Sequence, residues 1–284
     1  GPAIFDSNIG IILFFRVLMG IANGIVLPMS TDLACDFFEG KERNNMMGYV
    51  SAIVGISGVL FQMLGGYLAG ISWQYTFYAY LVSIIFFAIP LIFLPEPDRK
   101  AKIAEQEGSA DAKAKAPGSV YLVCLVFMLF YLCWFTAPTN GAIVIMGNKL
   151  AEPGMIGIVF SLMTVGATIT SVLFGSVTFR YLKFNLFPIG YIVCAIGMYV
   201  CSSAQTLGTF TIGIICCGLS LGLVVPTTMT KVTGLVPYSA ASKVIAMAYF
   251  GMGIGGFFQP MVFSLFSMPG RQQFLIASIV LVVL

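Results

Sequence analysis

The stretch Phe14–Ser30, FFRVLMGIANGIVLPMS, places one guanidinium among uncharged, mostly apolar side chains. Arg16, Gly20, Gly24 and Pro28 recur at intervals of four, so a helix carries them on a single stripe. An arginine inside a membrane span costs at least about 2.5–3.5 kcal/mol on insertion scales, and such residues are usually functional. Two kinds of chemistry suit Arg16. It can pair with a carboxylate, or it can bind an anionic substrate directly. The structural alternative is snorkelling, since Arg16 lies only a turn or two below the expected outer end of its span.

Several uncharged polar residues also stand in apolar runs. Asn23, Gln62, Thr139, Asn140 and Gln259, with the aromatics Trp134 and Tyr249, are the candidate cavity and substrate-contacting residues. The stretch 136–141, TAPTNG, is expected to interrupt its span, and discontinuous helices mark binding sites in transporters. The competing role for these polar groups is hydrogen bonding between helices, worth about 0.6–2 kcal/mol each. The excess of aromatics and methionines, 25 Phe and 15 Met, suits an adaptable apolar cavity, although lipid-facing positions account for most of it.

Other chemistries lack their residues. There is no histidine, which excludes histidine metal sites, triads and proton relays. The cysteines Cys35, Cys124, Cys133, Cys194, Cys201, Cys216 and Cys217 form no CxxC pair and read as small buried hydrophobes. No metal, cofactor or catalytic residue is expected. None of the eleven acidic residues lies in the middle of a span, so a membrane enzyme has no acid–base pair to use. Asp32 and Asp36 share the Arg16 helix, but Asp32 lies ~24 Å from Arg16 at the helical rise, too far to pair.

The elements that hold these residues follow from composition. Of 284 residues 59% are hydrophobic and only 9% charged, against about 25% charged in soluble domains. The fold class is therefore all-α, a polytopic membrane helical bundle. A net charge of +3 calls for no nucleic-acid partner. Runs long enough to span occur near 9–34, 45–70, 73–94, 119–147, 155–179, 184–203, 207–230 and 244–267, with a partial ninth from 272. The polar segment 95–118 reads as a solvated linker between 1–94 and 119–284. Eleven Lys and Arg fall in the linker and the connections on its side, against two in the other set, so the linker is expected to face the cytoplasm.

The two regions repeat each other. RVLMGIANGIVLPMS (16–30) aligns with IICCGLSLGLVVPTT (214–228), which sets Gly20 on Gly218, Gly24 on Gly222 and Pro28 on Pro226. One helix later Phe61-Gln62 meets Phe258-Gln259, and Gly58 meets Gly255. Both copies keep one topology, which is a parallel repeat. The glycines are expected to serve close helix packing and the prolines to bend the helix. Arg16 aligns with Ile214, so the repeat itself does not require an arginine. The helix at 207–230 is the fourth after the linker, whereas the helix at 9–34 opens the sequence. The symmetry therefore expects about three further helices upstream and twelve in all.

The chain resembles the major facilitator superfamily, and most closely its drug:proton antiporter branch. The R-x-x-x-G-x-x-x-G pattern is met by Arg16, Gly20 and Gly24, and the Asp and Arg of the following loop by Asp36 and Arg43. The glycine series of the antiporter motif is met by Gly48, Gly65 and Gly66. Ser57 replaces one glycine, and Phe61-Gln62 stand where Gly-Pro is usual. Trp73 and Phe77 match the W-x-x-x-F opening of the next helix. The resemblance implies helices four to six in 1–94 and seven to twelve in 119–284. The glycines, with Pro28, Pro226 and Pro260, then act in packing and hinging.

It further implies proton-coupled efflux of amphipathic compounds through the plasma membrane by alternating access, with a small-molecule substrate, protons and lipid as partners, and a monomer. The alternative is uptake or exchange of a small organic anion held by Arg16. A coupling carboxylate is expected in the upstream helices, with Asp32 the alternative present here.

Overall fold

The computed structural model describes residues 9–37, 40–72, 74–83, 86–87, 92, 117–173, 186–236, 238–265 and 270–284. Most of the expected linker and Trp73 lie outside them, as do the side chains of residues 27–52, which include Pro28, Asp32, Asp36, Arg43 and Gly48. Every described regular element is helical. The elements are α1 (Ile9–Phe37), α2 (Gly40–Ile71), α3 (Tyr75–Tyr78) running into a 3-10 turn, α4 (Gly118–Trp134) and α5 (Thr136–Gly147). Then come α6 (Pro153–Leu173), α7 (Leu186–Ser203), α8 (Leu207–Gly234), α9 (Tyr238–Leu265) and α10 (Gly270–Val283). A chain this apolar has little choice, because helices pair every backbone group within the segment where water is absent. Six described stretches are long and apolar enough to cross a membrane, among them α4 and α5 taken together.

Local chemistry fixes several ends. Thr206 caps α8 in a reciprocal capping box with Thr209. The end of α5 closes by bonds from Lys149 N to Met146 O (3.1 Å) and Leu150 N to Ile145 O (2.9 Å). Lys149 takes the left-handed position of that motif, with φ 53°, where glycine is usual.

The helices form two compact units. The first holds residues 1–104 with the opening turn of α6, 153–158. There α2 meets that turn backbone to backbone. A Cβ on Gly66 would stand 2.5 Å from Gly157 Cα, and one on Gly157 would stand 2.6 Å from Gln62 O. Along α1, Leu13, Phe14, Val17, Ile21 and Ile25 are exposed, an apolar surface suited to lipid or to other helices.

The second unit holds 105–152 and 159–284. Its α4 pairs along α9, while α7 packs on α8 and α10. Phe127, Phe130, Phe210, Phe274, Ile145 and Met198 are fully buried. Close approaches depend on glycine. A Cβ on Gly197 would meet Gly213 O at 2.7 Å across α7 and α8. Gly218 and Gly222 press α8 against α6, so that an added Cβ would collide with Met163 and with Ala167 O and the Thr170 hydroxyl. Thr170 Oγ1 donates to Leu219 O (3.1 Å) across that contact. By contrast, Gly20 and Gly24 on α1 have nothing within 4 Å of an added Cβ. On α10, Ser278 Oγ donates to Ala195 O (2.9 Å). Arg271 Nη2 donates to Ala204 O (2.7 Å) just past the end of α7, where a cation is favoured.

Candidate functional site

The break between α4 and α5 sets the site. Pro138 has no N–H, so it removes the donor that would bond the Trp134 carbonyl. Helical bonding continues around this gap, from Phe135 N to Tyr131 O (2.9 Å) and from Thr139 N to Phe135 O (3.1 Å). The interruption is therefore the single residue Phe135. TAPTNG, expected as the break, is itself the helical start of α5. A proline disturbs a helix one turn before its own position, because the bond it forfeits reaches back four residues.

Directly above the break, three helices exchange hydrogen bonds. Gln259 of α9 has no exposed surface. Its Nε2 donates to Thr136 Oγ1 (3.3 Å), and its Oε1 accepts from Thr139 Oγ1 (2.8 Å). Asn140 Nδ2 donates to Thr139 Oγ1 (3.3 Å) and to Gln273 Oε1 of α10 (2.8 Å). The Thr139 hydroxyl also lies 2.7 Å from Phe135 O, so one proton serves two acceptors in turn. Burying an amide without partners costs several kcal/mol, which explains why Gln259 is tied at both ends. Burial differs among the members of this cluster. Thr136 and Gln259 are sealed, Asn140 is half-buried and Thr139 is exposed. The cluster is uncharged; its atoms bind by donating and accepting hydrogen bonds.

An aromatic group lies beside it. Tyr131 and Trp134 meet edge to face at 5.7 Å, and Trp134 and Phe135 at 5.5 Å. Trp134 is buried, and its Nε1 donates to Cys217 O of α8 (3.0 Å), so its polar atom is committed to helix packing. Tyr249 is exposed on α9, ten residues before Gln259, and outside the amide cluster. The remaining candidates belong to the first unit. Asn23 is exposed and Gln62 half-buried. Arg16 is exposed, with its guanidinium carbon 5.9 Å from the centroid of the Phe77 ring, a cation–π contact. Among the described residues, no group of three or more Cys, Asp or Glu side chains is arranged to hold a metal ion. In α9, Pro260 follows Gln259 directly and is exposed; Pro226 lies inside α8.

Two members of the cluster escape sequence reasoning. Thr136 sits in the interrupted stretch without being singled out, and Gln273 opens an apolar helix. The signal for Gln273 is the pair Gln272-Gln273 at the head of QQFLIASIV, polarity at the start of a span.

Comparison with known proteins settles the family. Residues 1–260 match the Major Facilitator Superfamily. The chain belongs to that superfamily. Among its relatives, the multidrug transporter protein MdtP of Bacillus subtilis is 33% identical over 87 residues, 29% of this chain and 16% of that protein. Multidrug resistance protein 3 of the same organism is 29% identical over 119 residues, 42% of this chain and 22% of the relative. Quinolone resistance protein NorA of Staphylococcus aureus is 24% identical over 123 residues, 43% of this chain and 32% of the relative. The matched stretches thus cover less than a third of these relatives' lengths. For a Major Facilitator Superfamily chain, the helical membrane bundle and the resemblance read from the glycine pattern agree with the family found.

Proposed function

We propose that this protein is part of a secondary active transporter that expels amphipathic, drug-like small molecules across the plasma membrane. The observation that carries this reading is the superfamily match over residues 1–260, together with relatives named for multidrug and quinolone resistance. The geometry adds a cluster of amides and hydroxyls beside Tyr131, Trp134 and Phe135, which suits a ligand with a large apolar body and few polar atoms. In this reading 1–94 supplies helices four to six of the first half and 119–284 the second half. The linker between them faces the cytoplasm, transport proceeds by alternating access, and protons drive it.

Arg16 serves the coupling step. Its partner carboxylate lies outside the described residues, because Asp32 is ~24 Å away along the helix. The exposed guanidinium on α1 also supports a second reading, in which Arg16 holds a small organic anion that is taken up or exchanged.

The test is drug susceptibility in an efflux-deficient host expressing the full-length protein. Protection against amphipathic compounds is expected, and Arg16→Ala is expected to remove it by ten-fold or more while membrane insertion is unchanged. No protection against any such compound would sink the export reading. Full activity of Arg16→Ala would sink the coupling role.

A further inference from the structure

We infer that Asn140 contacts the transported molecule through its amide oxygen, which takes a hydrogen bond from an N–H or O–H of the ligand, and that Gln273 is the positioning residue that holds the amide in that sense. The inference rests on the transport reading above and names the polar feature its substrate must carry.

Three observations converge. Asn140 spends both amide hydrogens inside the protein, one on Gln273 Oε1 at 2.8 Å and one on Thr139 Oγ1 at 3.3 Å. Its Oδ1 accepts no hydrogen bond among the described residues. The position is half-buried and bonded to exposed Thr139, whereas Thr136 and Gln259, on the other side of Thr139, are sealed. An amide oxygen has two lone pairs and gains most from a donor where water is scarce.

The orientation has a cause. A lone asparagine rotates freely between offering oxygen and offering nitrogen. The Gln273 oxygen, an acceptor on a separate helix, attracts the nitrogen and so turns the oxygen outward. Gln259 extends the same control from behind, because it orients Thr139. Charge plays no part in the cluster itself, so the site selects for a hydrogen-bond donor rather than for an ion.

The experiment compares binding of the fluorescent probe N-phenylnaphthylamine, which carries one N–H, with its N-methyl derivative, which carries none. The full-length protein is used in nanodiscs. Wild type is expected to favour the N–H probe by about five-fold or more, the worth of one hydrogen bond. Asn140→Leu and Gln273→Leu should both bring that ratio close to one. Gln273→Glu retains an acceptor at the same reach and should restore the preference. The ratio between the probes is the readout, so a general loss of affinity through structural damage does not imitate the result. Equal binding of the two probes by wild type would overturn the inference. So would a preference that survives in Asn140→Leu, or failure to bind either probe. The transport reading would be untouched by these outcomes, since the susceptibility assay decides it separately.

Discussion

Gln259 illustrates what a single residue does when an apolar environment surrounds it. Its amide is wholly buried, and the hydroxyls of Thr136 and Thr139 satisfy it. Replacing it with leucine keeps the volume but removes the bond each hydroxyl makes to the amide, leaving Thr139 its bond to Phe135 O. Hydrogen bonds between membrane helices average about 0.6 kcal/mol, so Gln259→Leu should destabilise the protein by about 1–2 kcal/mol. Thermal unfolding of the purified full-length variant checks this, and an unchanged midpoint would mean that the bonds to Gln259 contribute no net stability. Arg16 is the contrasting residue. Its guanidinium contacts Phe77 from an exposed position, so its loss should leave folding largely intact.

At the scale of elements, glycine decides how closely helices approach. The contact of α8 with α6 leaves no room for a side chain at Gly222, where a Cβ would strike Ala167 O and the Thr170 hydroxyl and lie 3.0 Å from Ser171 N. Overpacking at such a site costs about 1–3 kcal/mol, and Gly222→Ala is expected to lose that much. The control is Gly208→Ala in the first turn of the same helix. An added Cβ there meets nothing within 4 Å, and alanine is the better helix former by about 0.5–1 kcal/mol. The two variants should therefore shift the thermal midpoint in opposite directions, and a shared direction would contradict the packing account. The pairing of Gly20 with Gly218 and of Gly24 with Gly222 is visible in the sequence, yet of these four only Gly218 and Gly222 meet a neighbouring helix among the described residues.

For the molecule as a whole, the distribution of basic residues predicts which side of the membrane each connection occupies. Arg99, Lys100, Lys102, Lys113 and Lys115 all fall in the linker. A cysteine placed there, as in Ser109→Cys, should react with a membrane-impermeant maleimide in inverted vesicles and not in right-side-out ones, above the background of the native thiols. The reverse pattern would invert the topology and, with it, the direction assigned to transport. Of the described native thiols, Cys124, Cys133, Cys194, Cys201 and Cys217 are buried and Cys216 is half-buried, so a Cys216→Ser background lowers the native signal.

The sequence by itself determined the helical membrane class and the superfamily. Span formation is additive: each apolar residue contributes its own transfer free energy, and a run of about 20 suffices whatever surrounds it. The glycine pattern is equally local, and it carried the family. Thr139, Asn140 and Gln259 were also legible as polar residues in apolar runs. The tertiary structure decided which of them meet. It moved the helix break to Phe135, turned the Trp134 nitrogen toward α8, left Tyr249 outside the cluster, and brought in Thr136 and Gln273. Thr139 and Gln259 lie 120 positions apart, and Asn140 and Gln273 lie 133 apart. Such pairs depend on how each helix is rotated and crossed against its neighbours. Hydropathy is nearly blind to that rotation when a helix is apolar on every side.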